Sequence, residues 1–226
     1  MVLLALSIGT YLSLSGHGLD PGEIVERLRD PDLLADPEIL SLLLRPGVVM
    51  LLILGFGLVV PLIEEATKTA GIGLLGPWLR PSPPRAFLIG VASGAGFALA
   101  ENAFNSPLMF GPIWGVGLFS RLAATLMHCA TGGLMGWGWG ALWERRRPGR
   151  LVLAYAGATA LHAVWNGLAV GTGLAGLIAG MEQVGPGETL ILGTLALLAA
   201  SLLFALAVAV LIGTVWGARA LSRAEG

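Results

Sequence analysis

Charge is what this sequence has least of. Only 12% of its 226 residues are Asp, Glu, Lys or Arg, where a soluble domain carries about 25%. There is one cysteine, Cys129, inside an apolar run, so an intrachain disulfide framework is excluded. The formal net charge is −1. There is no basic tail and no basic patch interleaved with aromatics, so nucleic acid is not an expected partner. Residues 1–15 lack a basic leading region and a small-residue cleavage site, and read as a retained span. No soluble domain, long linker or strong internal repeat is visible, so residues 1–226 read as one integral membrane domain.

Apolar sequence fills the space that charge leaves. Hydrophobic residues make up 55% of the chain and mean hydropathy is +0.81. Runs of about 20 apolar residues are candidate membrane spans, and six are found: about 1–16, 47–76, 85–105, 112–143, 151–173 and 189–221. Between the first two, Leu19–Arg45 holds seven acidic residues and Pro21, Pro31 and Pro37, and reads as short interfacial helices. The fold class expected is all-α, a polytopic transmembrane bundle of about six spans in the lipid bilayer.

Arginine sets the expected orientation. Arg80 and Arg85 follow the second span, Arg145, Arg146, Arg147 and Arg150 the fourth, and Arg219 and Arg223 the sixth. The loops after the third and fifth spans contain no Lys or Arg. Six alternating spans put these arginines on one side, so both termini are expected in the cytoplasm, with the protein in the cell membrane. Of 34 glycines, Gly132, Gly136 and Gly140, Gly90 and Gly94, and Gly167 and Gly171 form four-residue stripes suited to close helix packing. The seven tryptophans lie mostly near span ends, where interfacial anchors belong.

Against this background the polar residues inside the spans stand out, because an ionised side chain at the bilayer centre costs at least about 2.5 kcal/mol on insertion scales. The second span carries Glu64, Glu65 and Lys68, which share one helix face by their three- and four-residue spacing. One carboxylate can pair with Lys68 and leave the other to exchange a proton. Pro61, just upstream, is expected to kink the helix. The third span carries Glu101, Asn102 and Asn105. Glu101 has no cation within its own helix turn, so its partner must come from another span, where Arg121 or Lys68 could serve. The fourth carries Arg121, Thr125 and His128, and the fifth His162 and Asn166 on one face. Counted from the span ends, Glu64, Glu65, His128 and His162 lie near mid-span, with Glu101 and Asn166 about one turn outward. His17, in a Gly-rich turn, is assigned no role.

These residues resemble the motifs of the PrsW intramembrane proteases, relatives of the CAAX prenyl endopeptidase and bacteriocin-immunity superfamily. Glu64, Glu65 and Lys68 match EExxK, Phe97, Glu101 and Asn102 match FxxxEN, His128 follows Arg121 as in the third motif, and His162 and Asn166 match HxxxN. The matching motifs span residues 64–166, within a core of 61–170. The resemblance implies a peptide-bond hydrolase acting on membrane-tethered proteins such as anti-sigma factors. It implies Glu64 as general base, and His162 with Asn166 as the oxyanion site. The position that is histidine in the CAAX relatives is Glu101 here, so either His128 supplies the imidazole or Glu101 orients the water. Glu65 completes the catalytic set, with Lys68, Asn102 and Arg121 supporting it.

The residues by themselves are compatible with that chemistry, since a glutamate can polarise water while His and Asn stabilise an oxyanion. No GxSxG or HExxH is present. No cofactor is assigned; zinc stays open on ligand types alone. The competing readings are a proton- or ion-coupled transporter, because intramembrane acids and histidines also line ion pathways, and an inactive binding or immunity protein of the same superfamily.

Overall fold

The computed structural model describes residues 44–105, 114–179 and 184–223. The first expected span, nearly all of the acidic segment after it, and Phe110–Ile113 lie outside these residues. What is described is helical, with no strand among the described residues. Helix α1 (Pro46–Leu54) passes through a π-helical turn at Gly55–Val59 into α2 (Val60–Lys68) and then α3 (Ala70–Leu79). Four long helices follow: α4 (Pro83–Asn105), α5 (Trp114–Arg145), α6 (Pro148–Ala179) and α7 (Pro186–Arg223). Helix ends agree with the expected spans to within about three residues, except that α6 runs on to Ala179 through Gly173 and Gly176. Membrane helices tolerate such glycines.

Four segments are long and apolar enough to cross a bilayer: Pro46–Leu79, Pro83–Ala103, Pro148–Gly176 and Pro186–Leu221. The protein is therefore a multi-pass membrane protein. Helix α5 has the length of a span, at 32 residues, but it is not among the four. Its sequence explains this, because it carries Arg121, His128, four tryptophans and a series of glycines. Its neighbours α4, α6 and α7 all pack on it, so these polar groups face protein.

The bundle is apolar outside and polar inside. Leu153, Leu190, Leu197 and Trp216 are more than 70% exposed, whereas Glu65, Lys68, Thr69, His128, Thr131 and His162 are buried. Lipid as solvent favours this arrangement, since buried polar groups satisfy one another where hydrocarbon cannot. A smaller apolar cluster of Ala123, Ala124, Met127, Trp165 and Ala207 joins α5, α6 and α7.

Two glycine stripes bring α4 and α5 into backbone contact. A Cβ on Gly90 would strike the carbonyl oxygen of Gly132, and one on Gly136 that of Ala86. Gly94 meets the carbonyl of His128 in the same way, which ties the position of that histidine to the absence of a side chain. Gly167 and Gly171 differ, with nothing within 4 Å of a Cβ at either position. Their spacing is that of a packing stripe, but their face of α6 meets no described neighbour. The tryptophans also divide. Trp78 and Trp216 are exposed as anchors should be, while Trp165 is buried. Trp139 and Trp143 stack at 6.0 Å, where a Cβ on Gly73 or Gly76 of α3 would meet them.

Proline starts each long turn-to-helix junction at the arginine-bearing end. Arg146 adopts a left-handed conformation (φ 48°) after α5, and Pro148 begins α6. Arg80 caps α3 in the same left-handed region (φ 38°), its N–H donating to the Gly76 carbonyl at 2.8 Å. Ser82, Glu144, Arg145, Arg150 and Leu221 line one cavity. The three arginine clusters therefore share one end of the bundle, as alternation of the spans requires.

Candidate active site

The site is built on an interruption of the first described span. Between α2 and α3, Thr69 leaves helical geometry (φ −110°, ψ 10°). Two neighbours hold the break. Ser93 Oγ of α4 donates to the Lys68 carbonyl, and Trp139 Nε1 of α5 donates to Thr69 Oγ1 at 3.2 Å. Upstream, Pro61 follows the π-turn, as expected where a proline cannot donate to the helix ladder. Asn166 Nδ2 donates to the Phe56 carbonyl inside that turn (2.8 Å), and Tyr155 donates to the Leu62 carbonyl (2.8 Å). Both ends of α2 are thus tied to other helices, and its Glu64, Glu65 and Lys68 point into the bundle.

Lys68 and Glu65 have fully buried side chains and pair at 2.7 Å. Lys68 Nζ also lies 2.8 Å from His128 Nδ1 and 3.2 Å from Thr131 Oγ1, so its three donors are matched. It sits 5.2 Å from the Phe97 ring centroid. Because an ammonium only donates, His128 Nδ1 accepts, and the proton of the neutral ring is on Nε2. That Nε2–H donates to Glu101 Oε2 at 3.0 Å. Arg121 Nη2 stands 3.0 Å from the same oxygen, and Arg121 Nε donates to Asn102 Oδ1 at 2.6 Å. Asn102 Nδ2 in turn reaches Thr125 Oγ1 at 3.4 Å. Arg121 is thus the cation that Glu101 lacked in its own helix.

On the other side, Glu65 Oε1 accepts from His162 Nδ1 at 2.7 Å. Because that oxygen already accepts from the Lys68 ammonium, it accepts from His162 as well, which puts the His162 proton on Nδ1 and leaves Nε2 with its lone pair. Nε2 faces Glu64 Oε2 at 3.7 Å, too far for a direct hydrogen bond and suited to a bridging atom. The two imidazoles meet edge to face, with centroids 5.0 Å apart. Glu64 keeps 21% of its side chain exposed, against 0% for Glu65. The adjacent carboxylates therefore have different environments: Glu65 is committed to Lys68 and His162, and Glu64 can meet an incoming group.

Glu64, Glu65, Lys68, Glu101, Asn102, Arg121, His128 and His162 fall into one connected polar cluster across α2, α4, α5 and α6. Asn166 is placed one turn away, with its amide nitrogen on Phe56. Ser93, Thr131, Thr69 and Trp139 are additions that single-helix spacing could not reveal, since each acts across helices.

The chain matches the family described as PrsW family intramembrane metalloprotease over residues 38–199, which is most of its length. It belongs to the PrsW family. This protein is accordingly an intramembrane peptidase, a hydrolase of peptide bonds in membrane proteins. A search of curated proteins and one of solved structures returned no match. The PrsW match encloses every residue of the polar cluster.

The family description names a metal, and the donors can be tested against it. One atom each from Glu64, His128 and His162 lie within 4.8 Å of one another. Two imidazoles and a carboxylate are a known catalytic zinc set with a fourth position open. Glu65 bonded to His162 Nδ1 is the outer carboxylate that orients a ligating histidine. The donor set fits, with one condition. Both ring nitrogens of His128 are engaged, so it would have to release Lys68 or Glu101 to bind.

Proposed function

We propose that this protein is an endopeptidase cleaving membrane-tethered proteins, anti-sigma factors being the kind of substrate the resemblance suggests, with Glu64 as the group that activates water. The observation that carries this reading is the pair formed by Glu64 and the free Nε2 of His162, 3.7 Å apart at the reachable edge of a buried polar cluster. A water held between them gives its proton to Glu64 while its oxygen bonds to the peptide carbonyl carbon. The C–N bond then breaks, and Glu64 returns the proton to the departing amine. Hydrogen-bond donors are needed for the oxyanion. The second amide hydrogen of Asn166 supplies one in this reading. Glu65 holds His162 in its tautomer, and Glu101 does the same for His128.

Where a metal is bound, Glu64, His128 and His162 would hold it, and it would lower the pKa of a water and polarise the carbonyl. Lys68, Asn102 and Arg121 hold the acids in position in either case. The cell membrane, with both termini in the cytoplasm, is the location this reading takes.

Co-expression with a cleavable membrane-tethered reporter tests the assignment. Glu64→Gln should lower cleavage at least about 100-fold while leaving membrane yield and melting unchanged, and His162→Ala should lower it as far, with a fall in melting because buried Glu65 loses a partner. Wild-type cleavage in either variant would remove that residue from the chemistry. Metal analysis beside the same assay separates the two forms of the mechanism. Full cleavage by metal-free protein favours Glu64-activated water alone, and loss restored by zinc favours the three-ligand site.

A further inference from the structure

On the arginine-bearing half of the bundle, away from the polar cluster, two cavities meet. One, about 450 Å³, opens between α4, α5, α6 and α7, with Phe87, Leu134, Leu161, Val210 and Gly213 in its walls. That volume is within the range of ligand pockets, about 300–1,000 Å³. Its one hydroxyl, on Thr214, is spent on the Val210 carbonyl of its own helix at 2.7 Å. The other, about 400 Å³, is polar at its mouth, with Glu144, Arg145 and Arg150. Trp137 and Leu221 line both, so the two are parts of one groove with a charged head and an apolar tail.

The groove has the dimensions and polarity of an amphiphile. Its deepest wall on α5, Ala130, lies about 22 Å along the helix from Arg145, and one leaflet of hydrocarbon is about 15 Å deep. The apolar part therefore runs through a leaflet, and the charged part lies at its headgroup level. Arg150 stacks over the Trp137 ring at 5.5 Å, which aims the guanidinium at the mouth. Arg145 is half-exposed, and its contact is Glu144 at 3.3 Å. A surface pair of that kind is worth little and is easily exchanged for phosphate. Arg146 and Arg147 are exposed in the adjoining turn, so the mouth is net positive. Guanidinium forks bind phosphate oxygens in two-point contacts.

We propose that this groove is a binding site for an anionic phospholipid, one acyl chain lying between α4, α5, α6 and α7 and the phosphate held by Arg145 and Arg150. Basic residues at this level favour an anionic over a zwitterionic headgroup, and the tail cavity selects a lipid over a free phosphate ester. The proposal is independent of which residues carry out hydrolysis, since the groove shares no side chain with the polar cluster.

The full chain in detergent micelles, given phosphatidylglycerol or phosphatidylcholine of the same acyl chains, tests this by native mass spectrometry. Wild type should retain phosphatidylglycerol preferentially. Arg145→Ala and Arg150→Ala should each reduce that retention about fivefold without lowering melting in lipid-free micelles. Gly213→Phe, which fills the tail cavity, should reduce retention of both lipids, and Gly193→Phe, on the same helix outside the groove, should not. A cysteine at Gly213 should label with a photoactivatable acyl chain. Equal retention of the two lipids, an arginine pair variant that binds as wild type, or full competition by glycerol phosphate would overturn the proposal. So would crosslinking of that cysteine to another segment of the chain or to a second copy.

Discussion

Lys68 shows at the residue scale how acids are tolerated inside lipid here. It is the chain's one lysine, fully buried, with Glu65, His128 and Thr131 around its ammonium. Its charge and that of Glu65 neutralise each other where hydrocarbon can solvate neither. Removing one partner strands the other, which in buried pairs costs about 3–5 kcal/mol. Lys68→Met should therefore lower the stability of the purified protein by about that amount in a denaturation series. The double variant Lys68→Met with Glu65→Gln should recover part of the loss, as a double-mutant cycle would read. Strict additivity of the two single changes would show that the pair is not coupled. That these residues share a face follows from three- and four-residue spacing on a helix. Which glutamate pairs with lysine does not, since both are within reach along the sequence. The choice is made by His162 on α6, which bonds Glu65 and leaves Glu64 at the edge.

Among the elements, the contact of α4 with α5 carries the site. Glycine stripes let the two backbones touch, and the touching point at Gly94 is the carbonyl of His128. Gly94→Val should displace His128, break its bonds to Lys68 and Glu101, and abolish cleavage with a measurable fall in melting temperature. Gly171→Ala, with nothing within 4 Å, should be harmless, and replacing a helical glycine should add about 0.5–1 kcal/mol of stability. If both variants behaved alike, the helix contact would not be what positions His128. All of these stripes are visible in sequence by their spacing. Only the packed partner distinguishes Gly90 and Gly94 from Gly167 and Gly171. The interruption at Thr69 was not legible at all, because the groups that hold it, Ser93 and Trp139, come from other helices.

For the whole molecule, the arginine clusters meet at one end, and that end is cytoplasmic in the orientation proposed from the positive-inside rule. A reporter that is active only in the cytoplasm should work when fused after Gly226, and a periplasmic reporter at the same place should be silent. The reverse pattern would invert the orientation. Replacing Arg145, Arg146 and Arg147 with glutamate should shift a fraction of the population to the inverted topology, seen as activity of both reporters.

The division between sequence and tertiary structure follows from the range of the forces involved. Scarce charge and apolar runs near bilayer length determined a membrane helix bundle, because lipid leaves backbone polar groups no other partners. Helical period determined which polar side chains leave a helix on the same face. Distances between helices decided the rest. They gave Lys68 to Glu65, left Glu64 opposite the free nitrogen of His162, supplied Arg121 to Glu101 and turned the Asn166 amide toward Phe56. They also joined a charged mouth to an apolar groove. Those outcomes depend on ångström-scale packing of backbones at glycine and on hydrogen bonds between residues up to 110 positions apart, which no local pattern in the chain encodes.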